Sequence, residues 1–76
     1  MIGLDRLAIG DQARVVRIIG ADEITARLFE MGLTPGVTIS LLGCAPLGDP
    51  IELELRGYRL SLRKTEAARV EVEKLS

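Results

Sequence analysis

The chain of 76 residues contains no histidine and only one cysteine, Cys44. Without histidine it lacks the most common metal ligand and the usual general base at neutral pH. One cysteine excludes an internal disulfide and any zinc or iron–sulfur site built from several thiolates. We therefore expect no catalytic residue, no cofactor and no metal site in a protein that is not an enzyme. We expect Cys44 to be a small, partly buried side chain.

Aromatic residues are scarce, and there is no excess of basic charge. Phe29 and Tyr58 are the only aromatics, and 10 basic residues face 11 acidic ones, which gives a net charge of −1. Nucleic-acid binding draws on a surplus of basic residues and on aromatic stacking of single-stranded bases. We expect no nucleic-acid partner, and an RNA-binding β-barrel is the alternative that these counts disfavour.

The sequence has no long hydrophobic run. No segment approaches the roughly 20 apolar residues of a membrane span. The first residues, MIGLDR, lack the basic stretch and apolar block of a signal peptide. A lone cysteine suits a reducing compartment. We expect a cytoplasmic protein that does not insert directly into a membrane.

Apolar and polar residues alternate over residues 37–42, where Leu42 breaks the pattern, and over residues 51–63 and 69–73, whereas residues 13–18 are rich in β-branched side chains. Such alternation is typical of strands with one buried face. The glycine in the middle of 51–63 divides that stretch into the two arms of a hairpin. The pattern therefore predicts five strands, and residues 65–68 fit a single helical turn.

One segment between the first two strands has helical spacing. Ile24, Leu28 and Met31 recur at intervals of four and three residues, which places them on one face of a helix. Asp22 stands at the N-cap position, and Gly32 follows as a residue that can end the helix in the left-handed conformation.

These elements predict an all-β protein, rich in strands with one short helix, that forms a single domain over residues 1–76. Five short strands with one apolar face close most economically into a small barrel, because closure leaves fewer exposed edges. The expected architecture is a five-stranded, SH3-like barrel.

The residues at the tip of the hairpin are a candidate binding surface. A two-residue turn at Gly57 and Tyr58 would place Arg56 opposite Arg59, and like charges in that position are destabilising. Tyrosine and arginine are also enriched at binding hot spots. We expect a contact point for an acidic partner. The alternative, left open, is a solvated tip whose arginines pair with Glu54 or another carboxylate.

Two blocks of residues resemble a known family. They are R-L-x-x-M-G-L-x-P-G over residues 27–36 and A-P-x-G-D-P over residues 45–50, in the same order and with a similar closing strand. The chain resembles the ferrous iron transport protein A (FeoA) family along essentially its whole length.

The resemblance implies a small cytosolic SH3-like protein that assists a ferrous iron transporter. The expected partner is the cytosolic G-protein domain of the transporter's B component, and a homo-oligomer is left open. The alternative is a metal-responsive or generic protein-interaction module like the C-terminal domain of iron-dependent repressors. The chain begins with Met1 and shows no DNA-binding helical segment, so we expect no direct control of transcription.

The expected partner-binding surface combines the hairpin tip, the 45–50 loop and the exposed side of the helix. Its residues are Arg27, Pro46, Gly48, Asp49, Arg56, Tyr58 and Arg59.

Overall fold

Six strands form one antiparallel sheet in the computed structural model of the protein, which describes residues 1–75. The strands are β1 (Ile2–Gly3), β2 (Gln12–Ile18), β3 (Thr38–Cys44), β4 (Ile51–Leu55), β5 (Tyr58–Leu62) and β6 (Val70–Lys74). Their order across the sheet is β1-β6-β2-β3-β4-β5. A 3-10 turn covers Leu4–Arg6, and two helices, α1 (Glu23–Glu30) and α2 (Lys64–Ala67), complete the fold.

The five strands expected from the sequence are present, together with a sixth that was not predicted. This additional strand, β1, is two residues long and pairs with β6, with Ile2 opposite Val72. Two residues are too few to show the alternation that identifies a strand. The short helix α2 forms the helical turn expected near residues 65–68.

The core is formed by one face of the sheet, with α1 and the 3-10 turn packed against it. Each fully buried aliphatic side chain contributes about 2 kcal/mol to folding. The inward positions expected from the alternation in strands β3, β4 and β6 are buried as predicted. The buried apolar residues are Leu4, Leu7, Ala13, Val15, Leu28, Leu33, Val37, Ile39, Leu41, Ile51, Leu53, Leu55, Leu62, Ala67, Val70 and Val72.

Helix α1 begins and ends as the sequence predicts. The Asp22 carboxylate accepts a hydrogen bond from the backbone N–H of Thr25 at 3.1 Å. At the other end, the N–H of Leu33 bonds to the carbonyl of Leu28, and Gly32 has a φ of +99°. This is a Schellman motif, in which the left-handed glycine lets the chain leave the helix.

The alternation in β3 breaks at Leu42 because the strand contains a β-bulge. Leu41 pairs with Leu53 and Gly43 pairs with Glu52, which leaves Leu42 as the extra residue. A bulge bends the strand and increases its twist. The strand therefore continues to Cys44, two residues beyond the predicted end.

Candidate partner-binding surface

Six of the seven residues expected to bind a partner lie at the two ends of β4, and the seventh, Arg27, lies in α1. The loop of residues 45–50, called the loop below, precedes Ile51, whereas the hairpin tip of residues 56–59, called the tip, follows Leu55. A strand rises about 3.4 Å per residue, so these two ends are separated by roughly 14 Å. The tip and the loop therefore lie at opposite ends of this strand.

The register predicted for the hairpin is wrong. Leu55 pairs with Tyr58 and Glu54 with Arg59, so the two turn residues are Arg56 and Gly57 rather than Gly57 and Tyr58. Both turn residues have positive φ, +50° and +82°, as a type I′ turn requires. Arg56 is therefore not opposite Arg59.

The alternation could not distinguish the two registers. They differ by two residues, so every leucine of the hairpin faces the core in both, as observed. Charge does distinguish them. The observed register places Arg59 opposite Glu54, and opposite charges across a strand pair are favourable.

At the tip, Tyr58 is held in place and Arg56 is exposed. The Tyr58 hydroxyl donates a hydrogen bond to the backbone carbonyl of Met31, which joins β5 to the end of α1. A Cβ at Gly32 would lie 2.5 Å from that hydroxyl, so the glycine also makes room for the tyrosine. Arg56 takes part in no ion pair within residues 1–75.

Arg27 lies one helical turn before Met31, on the side of α1 that faces α2. Its guanidinium forms an ion pair with Glu66, whose side chain is only 10% exposed. Glu66 also accepts a hydrogen bond from the backbone N–H of Arg63 at 3.0 Å. The charge of Arg27 is therefore already engaged in joining the two helices.

A second ion pair holds the start of α1. One guanidinium nitrogen of Arg69 lies 2.7 Å from each carboxylate oxygen of Asp22. The hydrogen bond from Arg69, followed by that from the backbone of Thr25, lowers the pKa of Asp22 to about 2. Hydrogen bonds to a carboxylate favour its charged form. Thr25 is buried, which the apolar stripe of the helix did not predict.

The loop is fixed by hydrogen bonds within itself and to α2. Its two ends are joined by a bond from the N–H of Ala45 to the carbonyl of Pro50 at 2.9 Å, and the N–H of Gly48 bonds to the carbonyl of Ala45 at 2.7 Å. The Asp49 carboxylate accepts the backbone N–H of Lys64 at 3.0 Å, which caps the first turn of α2. Asp49 thus has a structural role, and the exposed loop tip presents Pro46 and Leu47 to solvent.

Leu47 is 97% exposed and was missed by the sequence reasoning. The sequence feature that could have indicated its exposure is the position of an apolar residue between two prolines in a loop. Cys44 was expected to be partly buried, and this is wrong. It is exposed at the last position of β3, directly before the loop.

Residues 1–75 contain neither a cluster of metal ligands nor a membrane-spanning helix. No three side chains of histidine, cysteine, aspartate or glutamate are grouped there as metal ligands would be. Neither α-helix of this part of the chain is long and apolar enough to cross a membrane.

A sequence model of the FeoA domain matches residues 2–74. A protein from Porphyromonas gingivalis named Fe(2+) transport protein A/Fe(2+) transporter FeoB fusion protein is 44% identical over 73 residues, which is 96% of this chain. The chain spans only 9% of the length of that relative.

Solved structures show the same fold. The solution structure of a FeoA-like protein from Clostridium acetobutylicum is 43% identical with a TM-score of 0.93, and the match covers 99% of this chain and 87% of that one. The zinc complex of Stenotrophomonas maltophilia FeoA, described as a prokaryotic SH3 domain protein, is 28% identical with a TM-score of 0.84. The match covers 96% of this chain and 91% of that one. The SH3-like, strand-rich fold class predicted from the sequence is confirmed.

Proposed function

Because this chain belongs to the FeoA family, we propose that it is a non-enzymatic accessory protein of ferrous iron uptake. In this proposal residues 1–76 act as one domain in the cytoplasm, where they bind the cytosolic G-protein part of a ferrous iron transporter. The family predicted from the two sequence blocks is confirmed by the domain match and by the relatives.

The observation that carries the proposal is the fusion in the Porphyromonas gingivalis relative. There, a segment 44% identical to this chain is part of the same polypeptide as a transporter named FeoB. Covalent linkage raises the effective concentration of two interacting parts, so fused domains are expected to act on each other. A separate chain of the same family would need a binding surface to reach the same arrangement.

We propose the tip as that surface. Arg56 is exposed, carries a charge that no carboxylate of residues 1–75 neutralises, and stands on a tight turn. Beside it, Tyr58 is 44% exposed and is fixed by its bond to Met31. A fixed aromatic side chain beside a free arginine loses little entropy on binding, which favours an acidic partner surface.

The proposed action is a shift in the conformational equilibrium of the partner. A protein that contacts one nucleotide state of a G-protein domain better than the other stabilises that state by the difference in binding free energy. Binding at the tip would thereby couple the nucleotide bound by the transporter to the presence of this chain.

The proposal is tested by calorimetric titration of the protein into a purified G-protein domain of the transporter, with GDP and with a GTP analogue. We expect heat of binding in at least one nucleotide state and different affinities in the two. Absence of heat in both states would overturn the assignment to the G-protein domain.

Two charge reversals locate the surface. Arg56→Glu should weaken binding by roughly tenfold or more, because a charge at the rim of an interface then meets like charge. Arg63→Glu is the matched control, since it makes the same change of charge at an exposed residue near the loop end. Loss of binding with Arg63→Glu and not with Arg56→Glu would contradict the tip.

A further inference from the structure

The two strands at the edges of the sheet differ in length. At one edge, β1 has only two residues, whereas at the other β5 has five and pairs with β4 alone. An edge strand presents unpaired backbone N–H and C=O groups, and proline residues and bulges are common devices that keep other chains from pairing with them. β5 contains neither device. Its outer side, called the edge below, is therefore open to the addition of another strand.

The register of the hairpin identifies which backbone groups point outward. A two-residue turn joins the carbonyl of the residue before it to the N–H of the residue after it, here Leu55 and Tyr58. From that pair on, hydrogen-bonded and non-hydrogen-bonded pairs alternate along the antiparallel ladder. Arg59 and Ser61 therefore direct their N–H and C=O groups away from β4. Within residues 1–75, no turn, loop or cap hydrogen bond engages these groups.

The edge is held at both of its ends. At its start, the Tyr58 hydroxyl is bonded to the carbonyl of Met31. At its end, the N–H of Arg63 bonds to the carboxylate of Glu66 at 3.0 Å, and the carbonyl of Arg63 accepts the N–H groups of Glu66 and Ala67. The backbone of Arg63 is therefore occupied by α2. A strand fixed in this way loses little conformational entropy when another chain pairs with it.

The charge along the edge is positive. Residues 56–62 contain two arginines and no acidic residue, although the whole chain has a net charge of −1. Arg56 and Arg59 are exposed, and neither takes part in an ion pair within residues 1–75. A carboxylate on an added strand would face Arg59 on the side away from Glu54, which is favourable. Two copies of β5 would instead bring arginines together, so the charge favours an acidic partner over a second copy.

We propose that an acidic segment of the partner adds to the sheet as an extended strand along the edge. The backbone groups of Arg59 and Ser61 bind the main chain of that segment, and the side chains of Arg56 and Arg59 select its carboxylates. In strand addition, main-chain hydrogen bonds give affinity and side chains give specificity. The identity of the partner as the G-protein domain rests on the function proposed above, whereas the binding mode of the edge does not.

Ser61→Pro tests strand addition, because proline has no backbone N–H. Since that N–H points away from β4 and proline is tolerated at such positions of edge strands, the hairpin should still form. The variant should bind the G-protein domain about tenfold more weakly or worse in calorimetry. Ser61→Ala is the matched control, which keeps the N–H and should bind like the wild type. Equal affinities of the two variants would overturn strand addition and leave the function proposed above intact.

Amide hydrogen exchange of the wild type tests the same geometry without a substitution. The amides of Arg59 and Ser61 should exchange rapidly in the protein alone and about tenfold more slowly or less in the complex. The amide of Leu60, which faces β4, is the internal reference. A complex in which both edge amides exchange as before would overturn the proposal, even if Ser61→Pro does not fold. Protection that rises with the concentration of the protein alone would assign the edge to a second copy and overturn it too.

A synthetic peptide separates the binding mode from the choice of partner. A peptide of about eight residues, the length of an ordinary strand, with alternating threonine and glutamate should protect the amides of Arg59 and Ser61 at millimolar concentration. The matched peptide with lysine in place of glutamate should not. If the G-protein domain gives no heat of binding and the acidic peptide protects both amides, the function proposed above fails and strand addition stands. If neither the domain nor the peptide protects them, strand addition is overturned.

Discussion

The hydroxyl of Tyr58 donates a hydrogen bond to the backbone carbonyl of Met31, so the first residue of β5 holds the end of α1. The carbonyls at the end of a helix have no partner within the helix. This bond satisfies one of them with a side chain that is 27 residues away in the sequence. It joins the proposed binding surface to the helix and gives the first prediction.

Tyr58→Phe should lower the free energy of unfolding by about 0.5–1 kcal/mol, because it removes the hydrogen bond and keeps the ring. Urea denaturation measures the change. The slope of the free energy of unfolding against urea concentration should stay the same. If the hydroxyl makes no contribution, the two unfolding curves will coincide. Arg56→Glu, which leaves the hydroxyl in place, separates an effect on stability from one on partner binding.

Arg56→Asn should stabilise the protein by about 0.5 kcal/mol. Arg56 has a φ of +50°, which is unfavourable for most residues with a side chain, and asparagine followed by glycine is the preferred sequence for a type I′ turn. Thermal unfolding should show a higher midpoint. The same variant should bind the transporter domain more weakly, because the free charge is lost. Weaker binding by a more stable protein cannot come from unfolding.

Exchanging the charges of Glu54 and Arg59 tests the register of the hairpin. Glu54→Arg alone should destabilise the protein by about 0.5 kcal/mol, because it places two arginines opposite each other. Adding Arg59→Glu should restore most of that loss. The double-mutant cycle, measured by urea unfolding, would give no coupling if Arg59 faced Arg56 instead.

Acid should remove the contribution of Asp22 to stability. The folded protein lowers the pKa of Asp22 from 3.8 to about 2, so its carboxylate stabilises the fold above about pH 4 and that contribution is lost as the pH falls to about 2. Asp22→Asn keeps the N-cap but loses the charge. The difference in stability between wild type and variant should therefore shrink over this interval.

Arg69→Gln provides the control for the acid prediction, because the hydrogen bond from Arg69 is the largest cause of the lowered pKa. It should reduce the same pH-dependent difference without abolishing it, because the hydrogen bond from the backbone N–H of Thr25 still lowers the pKa of Asp22. A difference that persists unchanged at pH 2 would contradict the assignment to Asp22.

Local signals in the sequence predicted most of the fold. The helix bounds followed from Asp22 and Gly32, since a cap and a left-handed glycine act within one turn of the chain. The inward residues of β3, β4 and β6 followed from the period of two. The residues of the candidate surface come from three separate segments, and local patterns carry no information on how those segments lie relative to one another.

What the sequence by itself determined is the set of local structures and which side of each one is buried, because capping, turn chemistry and alternation depend only on neighbouring residues. Only the tertiary structure decided how these pieces meet. It set the hairpin register, which alternation leaves ambiguous by two residues, and it paired Arg27 with Glu66 and Asp22 with Arg69 across long stretches of chain. It also set the tip and the loop at opposite ends of β4. Those contacts join residues far apart in the chain, so no local pattern encodes them.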